Sequence, residues 1–313
     1  MVKPQLRYPI YLSIAAAVVT LVLKAVSYHL TNSVGLLSDA AESLVNLVAA
    51  LAAYFALRYA AKPVDRDHPY GHEKVEYFSS GLEGGLILVA ALTIAWLAVC
   101  RLIRPEPLEP LGLGLILLLP ATLINGVVGA IVLRAGRTHQ SIVLEADGRH
   151  LIADVWTSGA VLLGLLLVGL TGLTWLDPVI ALLVAANILW TACGLMWRSF
   201  QGLLDRSLPE NELAALRVAV EKNLGPGTAY HAVRTRQAGA VRFVEFHLLV
   251  PGSTTVRWAH DLTHVIENAV QAALPGAEVT IHIEPIEERA SWEDSRLAPL
   301  EQAEREASST KLN

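Results

Sequence analysis

Two short stretches carry side chains that could do chemistry in surroundings that should not tolerate them. Asp39, Glu42 and Asn46 interrupt the apolar run Leu36-Leu37-Ser38-Asp39-Ala40-Ala41-Glu42-Ser43-Leu44-Val45-Asn46. Their spacings of three and four place all three on one helix face. Further on, Glu145-Ala-Asp147-Gly-Arg-His150-Leu-Ile-Ala-Asp154 repeats the device, with His150 and Asp154 one helical turn apart, as Glu42 and Asn46 are. An ionised carboxylate at mid-bilayer depth costs about 2.5–3.5 kcal/mol, so these helices need a protein-lined or watery site. Two helices that each present an i, i+4 pair of oxygen and nitrogen donors can supply four ligands to one cation. Imidazole with carboxylate suits Zn²⁺, Fe²⁺, Co²⁺, Ni²⁺ or Mn²⁺. Asp39 lies nearer the outer end and is expected to support the helix or an exit path.

Two further clusters have the same chemistry. Asp65, His68 and His72 fall within Asp65-Arg-Asp67-His68-Pro-Tyr-Gly-His72, just past the second apolar segment. A carboxylate with two imidazoles is a typical metal-ligand set. The polar C-terminal third carries His231, His247, His260, His264, His282 and Glu284. His282 and Glu284, two apart on a strand, share a face, with His247 expected on the neighbouring strand. His264 lies one turn from His260 and is the weakest ligand candidate.

The elements that must hold these residues follow from composition. Of the 313 residues, 53% are hydrophobic and 17% charged, with a mean hydropathy of +0.46. Soluble domains are about a quarter charged, and here the charges are sparse before Arg198 and dense after it. Six segments are long enough to cross a bilayer: Pro9–His29, Val34–Ala60, Phe78–Leu102, Leu111–Leu133, Ile142–Leu170 and Trp175–Met196. Lys24 is expected to snorkel to the interface, Asn125 to serve helix packing, and Glu83 has no assigned role. Arg58, Lys62, Arg66 and Lys74 in the second linker, with Arg134 and Arg137 flanking the fourth, outnumber Arg101 and Arg104 in the third. The positive-inside rule then puts both termini in the cytoplasm. The first apolar run is too long for a cleavable signal. Cys100 and Cys193 lack the spacing of a redox or metal motif. The net charge of −5, with no basic block, gives no reason to expect nucleic acid as a partner.

The pattern after Leu208 predicts a helix over Pro209–Leu224, strands over Ala232–Gln237 and Val241–Val250 joined at Ala238-Gly239-Ala240, a helix over Thr255–Leu274 and a strand over Glu278–Glu284. The fold class is therefore a polytopic α-helical membrane protein with six transmembrane helices, followed by a small α+β domain in the order αββαβ. The expected boundaries are 1–207 for the membrane domain, 208–286 for the soluble domain and 287–313 for a disordered tail.

Read together, these segments resemble the cation diffusion facilitator family, and especially its bacterial zinc and iron exporters. The resemblance rests on Leu36-Leu-Ser-Asp-Ala, Asp67-His-Pro-Tyr-Gly-His-Glu-Lys74, Ala146-Asp-Gly-Arg-His-Leu-Ile-Ala-Asp154, Leu204-Asp-Arg-Ser-Leu-Pro209 and Arg234-Thr-Arg-Gln-Ala-Gly239. It implies a homodimer in the inner membrane with a cytoplasmic, metallochaperone-like domain. It also implies a transport site of Glu42, Asn46, His150 and Asp154, a linker site of Asp65, His68 and His72, and a cytoplasmic site of His231, His247, His260, His282 and Glu284. A salt bridge at the dimer interface would map to Lys74 and Asp205. The family's usual pair in the second span is Asp or His followed four later by Asp. Glu42 and Asn46 depart from it, and Glu284 stands where the family has Asp.

The function expected is efflux of a divalent cation, Zn²⁺ first, exchanged for protons by alternating access, because metal ligands must be deprotonated to bind. An intramembrane metalloenzyme is the alternative from another class; it would need a general base beside a metal-bound water, and no His-Glu-x-x-His motif is present. A metal-gated channel or sensor is a third reading, set apart by flux that is not proton-dependent.

Overall fold

The computed structural model describes residues 4–31, 34–104, 112–173 and 175–292. Six long helices come first: α1 (Pro4–Thr31), α2 (Val34–Ala60), α3 (Val75–Ile103), α4 (Gly112–Thr138), α5 (Ile142–Thr171) and α6 (Leu176–Leu203). Each overlaps one expected span, and α2 has the expected limits. The side chains of Asp39 and Glu42 lie outside the described residues. Among the described residues four helical segments are long and apolar enough to cross a membrane: Pro4–Val26, Val75–Ile103, Leu119–Thr138 and Pro178–Leu203. Helices α2 and α5 carry the polar clusters, and part of each lies outside the described side chains.

The helices pack into two apolar groups. Leu6 and Ile10 of α1, Ala53 and Leu57 of α2, Val128 and Val132 of α4, and Val143, Leu144 and Leu151 of α5 form one. Tyr77 and Ile87 of α3, Ile142 and Ala146 of α5, and Ile188, Ala192 and Leu195 of α6 form the other. Helix α5 belongs to both, so the residues it carries sit at the centre of the bundle. Close approach of α4 to α5 depends on Gly148, where an added Cβ would lie 2.6 Å from the backbone nitrogen of Leu133. Lys24, expected at the interface, is 5% exposed and buried in the bundle.

The second unit begins at Asp205, three residues before the expected boundary. It contains α7 (Glu210–Glu221), β1 (Ala229–Ala238), β2 (Val241–Val250), α8 (Val256–Ala273) and β3 (Ala277–Pro285), the expected αββαβ order. The sheet order is β1-β2-β3. Strands β1 and β2 are antiparallel; β2 and β3 are parallel, which requires the crossover that α8 supplies. Gly239, at φ +57, takes the first position of the two-residue hairpin turn, where glycine is favoured. Val244, Phe246, Leu248 and Val250 alternate along β2 to face Leu216 and Val220 of α7 and Ile266 and Val270 of α8. Both helices therefore cover one face, and His247 points to the other. Order continues past the expected start of the tail. Arg289–Trp292 forms a 3-10 turn, fixed by the Trp292 indole N–H donating to Ile286 O at 2.9 Å.

Candidate metal sites

The membrane site is built by α2, α4 and α5. The Asn46 amide of α2 stands between the two polar side chains of α5. Its Nδ2 donates to Asp154 Oδ2 at 2.5 Å, and its Oδ1 lies 2.7 Å from His150 Nε2. Asn46, His150 and Asp154 are each no more than 8% exposed. The i, i+4 spacing on α5 is what lets one amide reach both. Glu42, one turn before Asn46 on α2, completes the expected set but lies outside the described side chains. Asn125 has a different place from the one expected: from α4 its Nδ2 donates to the same Asp154 oxygen at 3.1 Å, so it belongs to the site rather than to packing alone. Glu83 of α3 approaches the far side of the imidazole, with Oε1 3.7 Å from His150 Nδ1. A lone polar residue in an apolar span was the only sequence signal for either.

The linker cluster is a turn closed by one carboxylate. Asp65 Oδ1 accepts the backbone N–H of Asp67 at 3.0 Å and of His68 at 2.8 Å, and stands 3.0 Å from His68 Nδ1. Asp65 Oδ2 is 3.1 Å from His72 Nε2, without hydrogen-bond alignment. The bond from the His68 backbone N–H holds the Asp65 carboxyl below the usual aspartate range. His72 is buried against the edge of the Tyr59 ring, centroids 4.9 Å apart. One ligand atom from each of Asp65, His68 and His72 lies within 4.8 Å of the others.

In the sheet, register assembles the third cluster. His231 of β1 faces His247 of β2, and His247 faces His282 of β3, so three imidazoles form a row across three strands. Glu284 Oε1 lies 3.2 Å from His247 Nδ1 and 3.5 Å from His282 Nε2, while Oε2 lies 3.1 Å from His231 Nε2. A bulge decides the membership of His231. From Ala238↔Val241 to Arg234↔Glu245 the pairing is regular, and it then slips by one. Without that slip His231 would oppose Leu248 and turn toward the helices. Ala232, next to it, takes φ +54, a left-handed conformation uncommon outside glycine. The expected strand began at Ala232 and so missed both the bulge and the strand position of His231. Trp292 lies across the His231 ring, centroids 5.9 Å apart.

His260 stands apart from this row. It sits on the exposed side of α8, on the helix-covered face of the sheet, with Nε2 3.1 Å from Nε2 of His264. Its neighbours Ala259, Thr263 and Ile266 are the ones that α8 buries. Within one chain it therefore pairs with His264 rather than with His231, His247 and Glu284. Asp205, the expected partner of Lys74, lies 3.7 Å from Arg236 in its own unit.

Comparison with known proteins agrees with this division into two units. The family model for the cation efflux transmembrane domain matches residues 10–204, and that for the cytoplasmic domain of cation efflux proteins matches residues 208–286. The chain is 49% identical over 282 residues to the uncharacterised transporter sll1263 of Synechocystis sp., covering 90% of this chain and 91% of that one. It is 32% identical over 278 residues to the cation-efflux pump FieF of Shewanella oneidensis, covering 88% and 92%. A solved structure of the zinc form of a candidate zinc transporter, CzrB, shares 41% identity, covering 27% of this chain and 97% of its own, with a TM-score of 0.26. With both halves matched in order and nearly the whole length shared with a named efflux pump, this chain belongs to the cation diffusion facilitator family of cation efflux transporters, and it is a membrane transporter rather than an enzyme.

Proposed function

We propose that this transporter exports divalent transition-metal ions in exchange for protons, with Zn²⁺ first and Fe²⁺, Co²⁺, Ni²⁺ and Mn²⁺ behind it. The observation that carries the reading is the buried junction of Asn46 with His150 and Asp154. An amide oxygen only accepts, so His150 Nε2 holds a proton in its hydrogen bond to Asn46 Oδ1. A cation that takes both atoms as ligands must displace that proton. Asp154, with Glu42 as fourth ligand, supplies the two negative charges that neutralise a divalent ion. Protonation from the other side of the membrane restores the hydrogen bond and expels the ion. Movement between the two states would be a rearrangement of helices about this site.

The rest of the reading concerns regulation and assembly. Asp65, His68 and His72 form a linker metal site, and His231, His247, His282 and Glu284 form a cytoplasmic one that senses metal. Where His260 contributes, it does so from the partner of a homodimer, because its own sheet lies between it and the row of imidazoles. Lys74 and Asp205 would bridge the protomers. Both termini lie in the cytoplasm, and the helices span the inner membrane. Zinc stands first because the sheet cluster is rich in imidazole, and because one relative is described as a candidate zinc transporter.

Proteoliposomes with an imposed pH gradient and a panel of metals test the exchange. Metal flux is expected to rise with the gradient and to carry protons in the opposite direction. Metal that moves equally well without proton counterflow rules the antiport out.

A further inference from the structure

On the far side of His150 from Asn46 lies a second polar compartment that the proposed transport cycle does not use. Glu83 of α3 and Asp147 of α5 are each 3% exposed, and Ser13 of α1 is fully buried. Glu83 reaches the Nδ1 side of the His150 ring, with Oε1 3.7 Å away, and Asp147 precedes His150 by three residues on α5, within one helical turn. The two carboxylates feel each other's charge, and the Ser13 hydroxyl lies beside Asp147. Glu83 Oε1, Asp147 Oδ2 and Ser13 Oγ each lack an aligned hydrogen-bond partner. Among the described residues no lysine or arginine pairs with either carboxylate. The guanidinium groups of Arg149 and Arg198 are instead both committed to Glu145, at 2.8 and 2.6 Å. Lys24, eleven residues along α1 from Ser13, is about 16 Å away along the helix axis. Glu76, the other buried acid of α3, is engaged by the Ser141 hydroxyl at 2.9 Å.

His150, whose Nδ1 lies 3.7 Å from Glu83 Oε1, can offset at most one of the two buried carboxylates, so a cation or a proton must complete the site. We infer that Glu83 and Asp147, with the Ser13 hydroxyl, form a second divalent-cation subsite, on the opposite side of the His150 ring from Asn46. The placement gives it a use. Asp147 precedes His150 by about one turn on α5, toward the end of that helix which the orientation proposed above puts in the cytoplasm. A cation coming from the cytoplasm would meet Glu83 and Asp147 first, then pass the imidazole to reach Asn46 and Asp154. This inference rests on the export reading for its direction, but the subsite itself does not.

Zn²⁺ binding to the full-length protein in detergent, measured by equilibrium dialysis, separates the two. The reference variant has Asp65, His68, His72, His231, His247, His260, His282 and Glu284 replaced by Ala, which removes the linker and sheet ligand sets. Adding the near-isosteric changes Glu83→Gln and Asp147→Asn is expected to lower binding by one ion per protomer. Adding Asp154→Ala alone is expected to remove a different ion, and all three changes to remove both. Glu83→Asp keeps the charge and is expected to retain the ion, which separates ligation from misfolding; an unchanged elution volume in size exclusion checks the same point. Equal stoichiometry with and without the Glu83 and Asp147 carboxylates overturns the subsite, including the case in which they carry protons only. If the ion lost with Asp154 is then still seen, the transport-site reading survives that failure. If the carboxylate pair removes an ion and Asp154→Ala does not, the subsite stands and the transport-site reading falls.

Discussion

The candidate sites in the membrane and in the sheet use similar side chains in opposite ways. In the membrane, Asn46, His150 and Asp154 satisfy one another: the amide donates to the carboxylate and accepts from the imidazole. In the sheet, a single carboxylate, Glu284, serves three imidazoles, and His282 is two-thirds exposed. The first arrangement is buried and internally hydrogen-bonded, and an ion entering it must compete with those bonds. The second is partly open and offers more nitrogen donors than one carboxylate can engage. A site that must release its cargo on each cycle gains from the first design. A site that must hold an ion to report its level gains from the second.

The largest expected effect tests that division directly. Asp154→Ala should reduce transport to background while dimers still form, because it deletes a ligand and leaves the Asn46 and Asn125 amides without their acceptor. Each such buried loss costs about 1–3 kcal/mol. Glu284→Ala should instead leave flux at saturating metal largely intact and shift the metal concentration that gives half-maximal flux upward by about tenfold, or about 1.4 kcal/mol. Flux assays in proteoliposomes over a range of metal concentrations read both. Wild-type flux in Asp154→Ala, or abolished flux in Glu284→Ala, would reverse the roles given to the two sites.

How far each site could be read from sequence follows from the geometry of its element. A helix brings residues four apart together whatever surrounds it, so His150 and Asp154 were visible as a pair on α5, and the limits of α2 were met; Glu42, paired with Asn46 by spacing, lies outside the described side chains. What spacing could not supply was contact between helices. Asn125 is 29 residues from Asp154 and bonds to it only because glycines such as Gly148 let α4 approach α5 closely. In the sheet, the hairpin at Gly239 was legible, and regular pairing from it gives the wrong partner for His231. The one-residue slip that corrects this turns on Ala232 in a left-handed conformation, and no composition rule points to an alanine there. His260 shows the reverse case. Resemblance to the family groups it with the other histidines, and within one chain the alternation of β2 places it behind them.

Asn46 supplies the next test, smaller than the loss of Asp154. Asn46→Asp would set a second carboxylate 2.5 Å from Asp154 Oδ2, replacing a hydrogen bond by a like-charge contact. Such a pair stays ionised only with a cation between its members, and otherwise one member keeps a proton. The variant should bind metal more tightly in competition with protons and change the ranking of Zn²⁺, Fe²⁺, Co²⁺, Ni²⁺ and Mn²⁺ by up to about tenfold. Competition transport among these ions reads the ranking. An unchanged ranking, with unchanged proton coupling, places Asn46 outside the ligand set and makes it a spacer between His150 and Asp154.

The smallest expected effect separates the linker turn from both of the other sites. Its fold depends on hydrogen bonds from backbone N–H groups to Asp65 as well as on imidazole. Those bonds lower the Asp65 pKa, so the sign of the linkage is fixed. The bonds contribute fully above the ordinary aspartate value of about 3.9 and are lost as pH falls through the lower folded value. Acidification that protonates the imidazoles should release metal from the linker while the turn persists. A protonated His68 or His72 would even gain attraction to the Asp65 carboxylate beside it. The amide resonance of His68, followed by nuclear magnetic resonance in the full-length protein, should keep its hydrogen-bonded shift through pH 5 and move only below the ordinary aspartate range. If it moves with the histidines instead, the turn is held by them, and the linker behaves like the sheet cluster rather than as a preformed loop awaiting an ion.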